Sequence, residues 1–292
     1  MRTVPRWLVA AGAAAAMCGI SATSAMASTT TDPGQPPWST FSDCPTAAPN
    51  LTLCVYSATT TGSFTIGNTT VDVGSTPIVF QGGIATSKKG KASFVPPTDG
   101  DTLSQVPLTV PGGLLGLTPP NLFPQPLQGI LDAAINSFNG VTATAELVGK
   151  PKFNYGAFLT GKGPTVVLPV QIQLNNPFLG SDCFIGSASD PVTLRLTTGK
   201  TKPPAGVTPI RGTDGTLSFY DSGAVVVANG DSIVDNTFAA PAASGCGGIF
   251  SGLIDPVVNE KEGLPAAAGT NSAILGGTSD LASASQVIAN GG

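Results

Sequence analysis

Residues 63–73 read SFTIGNTTVDV: two short runs rich in Phe, Ile, Thr and Val, separated by Gly67-Asn68. Aromatic and β-branched residues favour the pleated, half-buried surface of a strand. A two-residue connection that starts with Gly is typical of a tight hairpin turn. The stretch therefore predicts an antiparallel β-hairpin.

Strand patterns of the same kind, punctuated by Gly, Pro, Asn and Asp, recur on both sides of this hairpin. They lie at residues 51–57, 77–80 (ending at Gly82-Gly83), 141–148, 153–159, 166–174, 183–186, 191–197, 216–220, 224–227, 232–238 and 281–289. This spacing predicts a mainly β protein: a sandwich- or barrel-like antiparallel fold with one or two short helices. We expect a flexible segment at residues 28–42 and one β-rich, disulfide-bonded domain at residues 43–292. The alternative is two β subdomains that divide near residue 140.

Two segments depart from the strand pattern. Residues 127–138 place apolar side chains on one helical face, and Asn139-Gly140 is a suitable helix end. Residues 249–260 predict a second short helix, in which Pro256 fits only near the start or at a kink.

The N-terminus has the three parts of a secretory signal peptide. Arg2 and Arg6 supply the positive charge, an uncharged apolar run follows, and Ala25-Met26-Ala27 matches the A-x-A cleavage motif. The apolar run is shorter than the ~20 residues that a transmembrane helix needs, which disfavours a membrane anchor. We expect cleavage after Ala27, or alternatively after Ala25. The expected product is secreted to the extracellular side and has no transmembrane segment in its mature form.

Four cysteines remain once Cys18 leaves with the leader: Cys44, Cys54, Cys183 and Cys246. An even number in an exported chain predicts two disulfides. Of the three pairings that four cysteines allow, we favour Cys44–Cys54 with Cys183–Cys246. The other two would require the N-terminal loop to reach across the domain. The sequence has no C-x-x-C motif, which argues against a metal or redox site.

The chain contains no His, which excludes Ser-His-Asp and Cys-His catalysis and His-ligated metals. We therefore assign no catalytic residue, no cofactor and no metal ligand. Asp231, Asp235 and Asn236 could offer oxygen atoms to Ca²⁺, but their spacing matches no calcium loop, so we favour solvated loop carboxylates. Asp221-Ser222-Gly223 resembles half of an aspartic-protease site. No second copy supplies the other carboxylate, so a turn between strands is favoured.

Residues 95–128 are crowded with Pro and Gly and include Leu114, Leu115 and Leu117. A long irregular stretch with several leucines is unusual in a compact domain. We favour the hypothesis that these leucines cover an edge of the core. The alternative is an apolar contact site for a lipid or a partner.

Several framework stretches rich in Gly, Pro and Cys stand out. They are FTIG at 64–67, VPGGLLG at 110–116, NPFLGSDCFIGS at 176–187, DNTFAAP at 235–241, GCG at 245–247 and LPAAAG at 264–269. They resemble segments of a group of secreted actinobacterial proteins that have no assigned activity. The resemblance covers nearly all of the chain after the leader. It implies a secreted, disulfide-bonded protein and supplies no catalytic residue.

The sequence favours a secreted, non-catalytic β-rich protein that binds an unknown partner or a component of the cell envelope. With 13 basic and 17 acidic residues, the chain lacks the dense positive charge that nucleic-acid binding needs. Two alternatives remain: a carboxylate-based extracellular hydrolase and a lipid-binding carrier that uses the region from Leu114 to Leu117.

Overall fold

The computed structural model describes residues 38–114, 129 and 139–291. Within these residues the protein is mostly antiparallel β, with two sheets packed together and three short α-helices. This confirms the predicted sandwich-like class. The predicted signal peptide, and the predicted helix at residues 127–138 apart from residue 129, lie outside the described residues.

The strands are named here in chain order. They are β1 (Leu51–Ile66), β2 (Thr69–Asp72), β3 (Ile78–Thr86), β4 (Ala92–Val95), β5 (Leu108–Val110), β6 (Val141–Leu147), β7 (Lys152–Phe153), β8 (Val166–Asn175), β9 (Phe184–Ile185), β10 (Val192–Leu196), β11 (Thr216–Tyr220), β12 (Val225–Asp235), β13 (Ala243–Ser244) and β14 (Ser272–Ser283). The first sheet has the order β11-β12-β14-β1-β3-β4, and β2 pairs with β1 as the predicted hairpin. The second has the order β13-β9-β8-β6-β5, and β7 and β10 also pair with β8. In the second sheet, the long strand β8 pairs both with strands that precede it in the chain, β6 and β7, and with strands that follow it, β9 and β10.

The α-helices are α1 (Tyr155–Thr160), α2 (Ser251–Glu262) and α3 (Ala284–Ala289). The helix expected at residues 249–260 is confirmed by α2, which contains Pro256. Residues 38–41, which the sequence placed in a flexible segment, form a 3-10 helix in which Phe41 is buried.

Two predicted strands are partly wrong, because in each the chain turns into a short helix although its apolar and polar residues alternate. The strand expected at residues 153–159 stops at Phe153. Asn154 then caps α1 by accepting a hydrogen bond from the Ala157 amide, and Gly161 ends the helix in the left-handed conformation. The strand expected at residues 281–289 ends with β14 at Ser283, and residues 284–289 form α3.

The strand predicted at residues 77–80 is too short, because β3 continues through Gly82-Gly83 to Thr86. These glycines let neighbouring groups approach the strand closely. A Cβ atom on Gly82 would lie 2.4 Å from the Phe94 ring. The Gly-Gly pair therefore marks a close approach inside a strand and not its end.

A line of irregularities crosses the middle of the first sheet. The register shifts between Thr59 and Thr61 in β1 and between Asn229 and Asp231 in β12, and both shifts lie beside Gly277 of β14. A Cβ on Gly277 would stand 1.9 Å from the Ala58 carbonyl oxygen, so only Gly fits at this crossing. A bulge bends a strand and changes the face to which later side chains point.

Buried apolar side chains form two layers. The larger lies between the sheets and includes Val55 and Leu281 from the first sheet and Val170 and Leu194 from the second. The smaller, which we call the outer layer, consists of Phe41, Cys44, Cys54, Val225, Ala282, Ala284 and Val287. The outer layer packs the N-terminal 3-10 helix and α3 against the first sheet.

Candidate functional site

A cavity of about 150 Å³ lies between the two sheets. Its wall is formed mainly by inward-facing aliphatic and aromatic side chains. They include Val55, Phe64, Ile66, Phe80, Leu108, Leu114, Val141, Phe158, Leu168, Val170, Ile172, Leu194, Leu275 and Leu281. A purely apolar cavity of about this volume stays dry and binds a small apolar molecule, and most of this wall is apolar.

The alternation of side chains along a strand explains which residues form this wall. Successive side chains of a strand point to opposite faces, so lining residues recur at every second position of β8: Val166, Leu168, Val170, Ile172 and Leu174. Several inward residues of the cavity, among them Ile172, remain partly accessible although they lie between two sheets. Their accessibility is what distinguishes this space from a fully packed core.

The lining positions on β1 are Val55, Ser57 and Thr59, before the bulge of this strand, and Phe64 and Ile66, after it. Both halves of the strand therefore contribute to the wall.

Leu114 is fully buried and forms part of the cavity wall. In the sequence analysis, the leucines near this position could either cover the core or provide an apolar contact. Leu114 is a core residue that lines the cavity, whereas Leu115 and Leu117 lie outside the described residues.

A charged pair forms part of the wall near the end of α2. Lys261 Nζ donates a hydrogen bond to the Gly113 carbonyl oxygen and lies 3.3 Å from Glu262 Oε1. Both side chains are mostly buried, at 20% and 12% exposure. Each charge is compensated by the other, so the pair adds polarity to the wall without a net charge.

A second polar group lies in the first sheet, where Ser57 and Ser279 line the cavity. Ser279 Oγ lies 2.9 Å from Ser57 Oγ and 2.6 Å from Asp231 Oδ2. Asp231 is 4% exposed. Burial raises the pKa of its carboxyl group above the ordinary value, and the hydrogen bond from Ser279 partly offsets this rise.

Asp280, the next residue of β14, lies on the opposite face of the strand from Ser279. Burial raises the pKa of Asp280, a hydrogen bond with Thr40 lowers it, and the negative charge of Asp231 raises it further. The two buried carboxylates therefore influence each other through the sheet but do not open into one pocket.

Thr165 adds a further polar atom to the cavity wall. It is 1% exposed, and its Oγ1 atom has no hydrogen-bond partner among the described residues. Most buried polar side-chain atoms have a partner, so an orphaned hydroxyl at a cavity wall is consistent with a ligand that supplies one.

The calcium hypothesis for Asp231, Asp235 and Asn236 is not supported by their positions. Both Asp residues are buried and not solvated as expected. The oxygens of Asp235 accept hydrogen bonds from the Arg195 amide and from Thr237, so they are already engaged within the fold. The described part of the chain contains no group of three or more His, Cys, Asp or Glu residues that could hold a metal ion.

Asp221-Ser222-Gly223 forms an exposed 3-10 turn between β11 and β12. The turn between strands that the sequence favoured is therefore present. The motif does not form part of the cavity wall.

The structure contains two disulfides, Cys44–Cys54 and Cys183–Cys246, with Cα–Cα distances of 5.7 and 4.1 Å. All four cysteines are buried. The first bridge ties the N-terminal loop to β1, and the second joins the loops beside β9 and β13.

Sequence analysis missed the polar wall residues Ser57, Ser279, Lys261 and Glu262. A signal was available for Ser57, because the alternation that places Val55 inward also places Ser57 inward. No comparable signal pointed to Asp231, whose inward position depends on the bulge in β12.

No protein-family model matches this chain, and neither a curated protein nor a solved structure matches it significantly. In the residues that the structure describes, no helix is both long and apolar enough to cross a membrane.

Proposed function

We propose that this protein is an extracellular, non-catalytic carrier that binds an apolar or amphiphilic molecule between its two sheets. The observation that carries the proposal is the apolar cavity of about 150 Å³. Of the alternatives considered from the sequence, the lipid-binding carrier is the one that this geometry supports best. A cell-envelope lipid would also satisfy the hypothesis of binding to an envelope component.

The chemistry of the wall supports an apolar ligand. Burial of apolar surface contributes about 25 cal/mol per Å² to binding, and typical ligand sites combine an apolar wall with a few polar groups. The cavity has this composition, with polar groups at Ser57, Ser279, Thr165 and the Lys261–Glu262 pair. The disulfides are compatible with work outside the cell.

The carboxylate-based hydrolase receives no comparable support. Such enzymes need two carboxyl groups that converge on one substrate. The two described carboxyl groups with raised pKa values, Asp231 and Asp280, belong to opposite faces of the sheet.

The proposal is tested with N-phenyl-1-naphthylamine, a neutral apolar probe whose fluorescence increases when it leaves water. The delipidated protein should bind the probe, and a long-chain alcohol should displace it. Ala143→Phe should abolish most of this binding, because Ala143 lines the cavity opposite Leu108 and a phenyl ring there would occupy it.

Thr109→Phe provides the matched control. Thr109 lies on the neighbouring strand β5 but is exposed on the outer face, so the same added ring should leave probe binding unchanged. Circular dichroism and urea unfolding would show that both variants fold. Equal probe binding by folded Ala143→Phe and the wild type would contradict the proposal, as would a wild type that binds no probe.

A further inference from the structure

Three large apolar side chains around the start of α2 are exposed to solvent: Ile249 by 93%, Phe250 by 53% and Leu253 by 49%. Leu253 follows the other two by four and three positions, the spacing that places side chains on one face of a helix. We call these three residues the apolar tip. The other exposed large apolar residues in the described part of the chain belong to three separate elements: Phe219, Ile274 and Ile288. Single apolar residues on a surface are ordinary, whereas a group of them marks an interaction site.

The backbone beneath the apolar tip is held by several contacts. The Gly247 amide donates a hydrogen bond to the Leu179 carbonyl oxygen at 2.7 Å, and Cys246 belongs to the second disulfide. The carboxylate of Asp255 accepts hydrogen bonds from the amides of Gly245 and Cys246. The three apolar side chains are therefore presented to solvent by an anchored helix start.

The size of the apolar tip disfavours a protein partner. A large apolar side chain offers up to about 200 Å², so three that are half to nine-tenths exposed offer roughly 300–400 Å². A stable protein–protein interface needs about 800 Å² on each side. The residues between the three add little side-chain surface, because they are Ser251 and Gly252. A lipid surface does not need a larger patch, since a few apolar side chains can enter the boundary between headgroups and acyl chains.

The charges near the apolar tip favour a neutral lipid surface. Residues 244–254 contain no charged side chain. The following residue, Asp255, is engaged by the two backbone amides beneath the tip. The exposed Asp182 lies beside the base of the tip, where a Cβ atom on Gly245 would stand 2.1 Å from its carbonyl oxygen. This segment therefore offers no Lys or Arg to attract anionic headgroups, and Asp182 would be repelled by them.

Helix α2 connects the apolar tip to the cavity. Val258 and Lys261 in its second half form part of the cavity wall. Val258 follows Leu253 by five residues, about 8 Å along a helix at ~1.5 Å per residue. A lipid surface in contact with the tip would therefore lie close to the wall of the proposed binding site.

We propose that the apolar tip docks the protein onto a neutral or zwitterionic lipid membrane by inserting Ile249, Phe250 and Leu253 at the level of the headgroups. This inference goes beyond the proposed function, because it assigns a surface outside the cavity and names the partner of that surface. For a carrier, such a membrane is the phase from which an apolar ligand is taken or to which it is delivered.

The test is flotation of the protein, purified from culture medium, with vesicles of phosphatidylcholine. The wild type should float with the vesicles. Ile249→Ser should weaken partitioning about tenfold, because an almost fully exposed side chain no longer leaves water on binding. Leu253→Ser should weaken it about threefold, because this side chain is only half exposed before binding. Ile288→Ser is the matched control: it makes the same change at an exposed Ile, 58% accessible, on α3, and it should bind like the wild type.

A second measurement distinguishes insertion from adhesion. In Ile249→Trp, bromine atoms on the acyl chains of phosphatidylcholine should quench the fluorescence of the added indole. In Ile288→Trp the same vesicles should leave the added fluorescence unchanged. Trp38 is common to both variants, so its emission cancels in the comparison.

Several outcomes would overturn the inference. They are no flotation of the wild type, equal flotation of Ile249→Ser and Ile288→Ser, and absence of quenching in Ile249→Trp. Tighter binding to an equimolar mixture of phosphatidylcholine and phosphatidylglycerol would also contradict it, because a basic surface elsewhere would then be responsible. A wild-type dimer that Ile249→Ser converts to a monomer in sedimentation velocity would show that a second copy covers the tip.

The failure of this inference can be separated from the failure of the proposed function. N-phenyl-1-naphthylamine binding is measured on the same proteins without vesicles, and Ile249→Ser should bind the probe like the wild type. Probe binding without vesicle binding would overturn the docking surface and leave the proposed function standing. Vesicle binding without probe binding would overturn the proposed function and leave the docking surface standing.

Discussion

The two faces of the first sheet differ in how completely their apolar side chains are packed. In the outer layer, Phe41, Val225 and Val287 are 0–2% exposed and pack around the buried Cys44–Cys54 disulfide. On the inner face, Ser57, Phe64 and Ile78 line the cavity and remain partly accessible. The same strands thus support a filled layer on one side and a cavity on the other.

The incomplete packing on the inner face makes the ligand-free fold less stable than full packing would. Side chains beside a cavity lack contact atoms on one side and forfeit part of their dispersion energy, and measured stability falls as residual cavity volume grows. A ligand that fills the space would restore these contacts. The outer layer shows that the chain can pack such a surface fully.

The largest expected effect separates the two faces directly. Phe41→Ala in the outer layer should lower the free energy of unfolding by about 3–5 kcal/mol, as expected for a filled aromatic site. Phe64→Ala at the cavity wall should lower it by about 2 kcal/mol or less, because the ring buries less surface. Urea unfolding of the ligand-free protein measures both values.

Equal losses for these two variants would contradict the comparison, because they would mean that Phe64 is packed as completely as Phe41. A saturating apolar ligand should stabilise the wild type and Phe41→Ala alike. For Phe64→Ala, the stabilisation should be smaller because a contact with the ligand is missing.

The next largest expected effect is the loss of stability when a disulfide is removed. It tests whether packing or loop-closure entropy dominates that loss. Cys44–Cys54 lies in the outer layer and closes a loop with a sequence separation of 10, whereas Cys183–Cys246 belongs to the inner cluster and has a separation of 63. Loop-closure entropy predicts losses of about 3 and about 4 kcal/mol when each pair is replaced by Ala. Denaturant unfolding should therefore show the double variant at Cys183 and Cys246 to be less stable by about 1 kcal/mol.

The reverse order would mean that packing in the outer layer outweighs loop length at Cys44 and Cys54. Non-reduced peptide mapping of the wild type serves as the control, because the expectation holds only for these two pairs.

Local sequence signals predicted the parts of the fold that depend on neighbouring residues. Gly67-Asn68 with its β-rich flanks predicted the β1–β2 hairpin, and the short helix predicted at residues 249–260 corresponds to α2. The strand expected at residues 153–159 missed α1, although Asn154 and Gly161 are recognisable helix boundaries. In that case the capping residues were more informative than the alternation.

The cavity could not be predicted in this way, because it depends on the distance between two sheets and not on any one segment. Alternation in β8 predicts which residues face inward but not whether they meet opposing side chains. Asp231 shows a second limit. The register shift between Asn229 and Asp231 changes the face on which the following residues lie, and a one-residue change of this kind is not visible in composition or period.

The smallest expected effect concerns Asp280, which lies on the opposite side of the sheet from Ser279. Burial raises the pKa of its carboxyl group above the ordinary value of an aspartate, so the folded state binds a proton more tightly than the unfolded state does. Stability from this group is present below pH ~4 and is lost as pH rises through the raised folded pKa. Asp280→Asn removes this titration, and its stability relative to the wild type should improve as pH increases from 4 to 7.

Thr40→Val tests the same carboxyl group in the opposite direction. Thr40 hydrogen-bonds to Asp280 and lowers its pKa, so loss of the hydroxyl should raise the pKa further and extend the loss of stability to higher pH. Urea unfolding at several pH values between 4 and 8 measures both variants against the wild type.

The charge of Asp231 also raises the pKa of Asp280. In Asp231→Asn, which keeps Asp280, the contribution of Asp280 to the pH dependence of stability should therefore be smaller than in the wild type. If the stability of Asp280→Asn relative to the wild type does not change with pH, the carboxyl group is not perturbed by burial. The two faces of the sheet would then be electrostatically independent at this position.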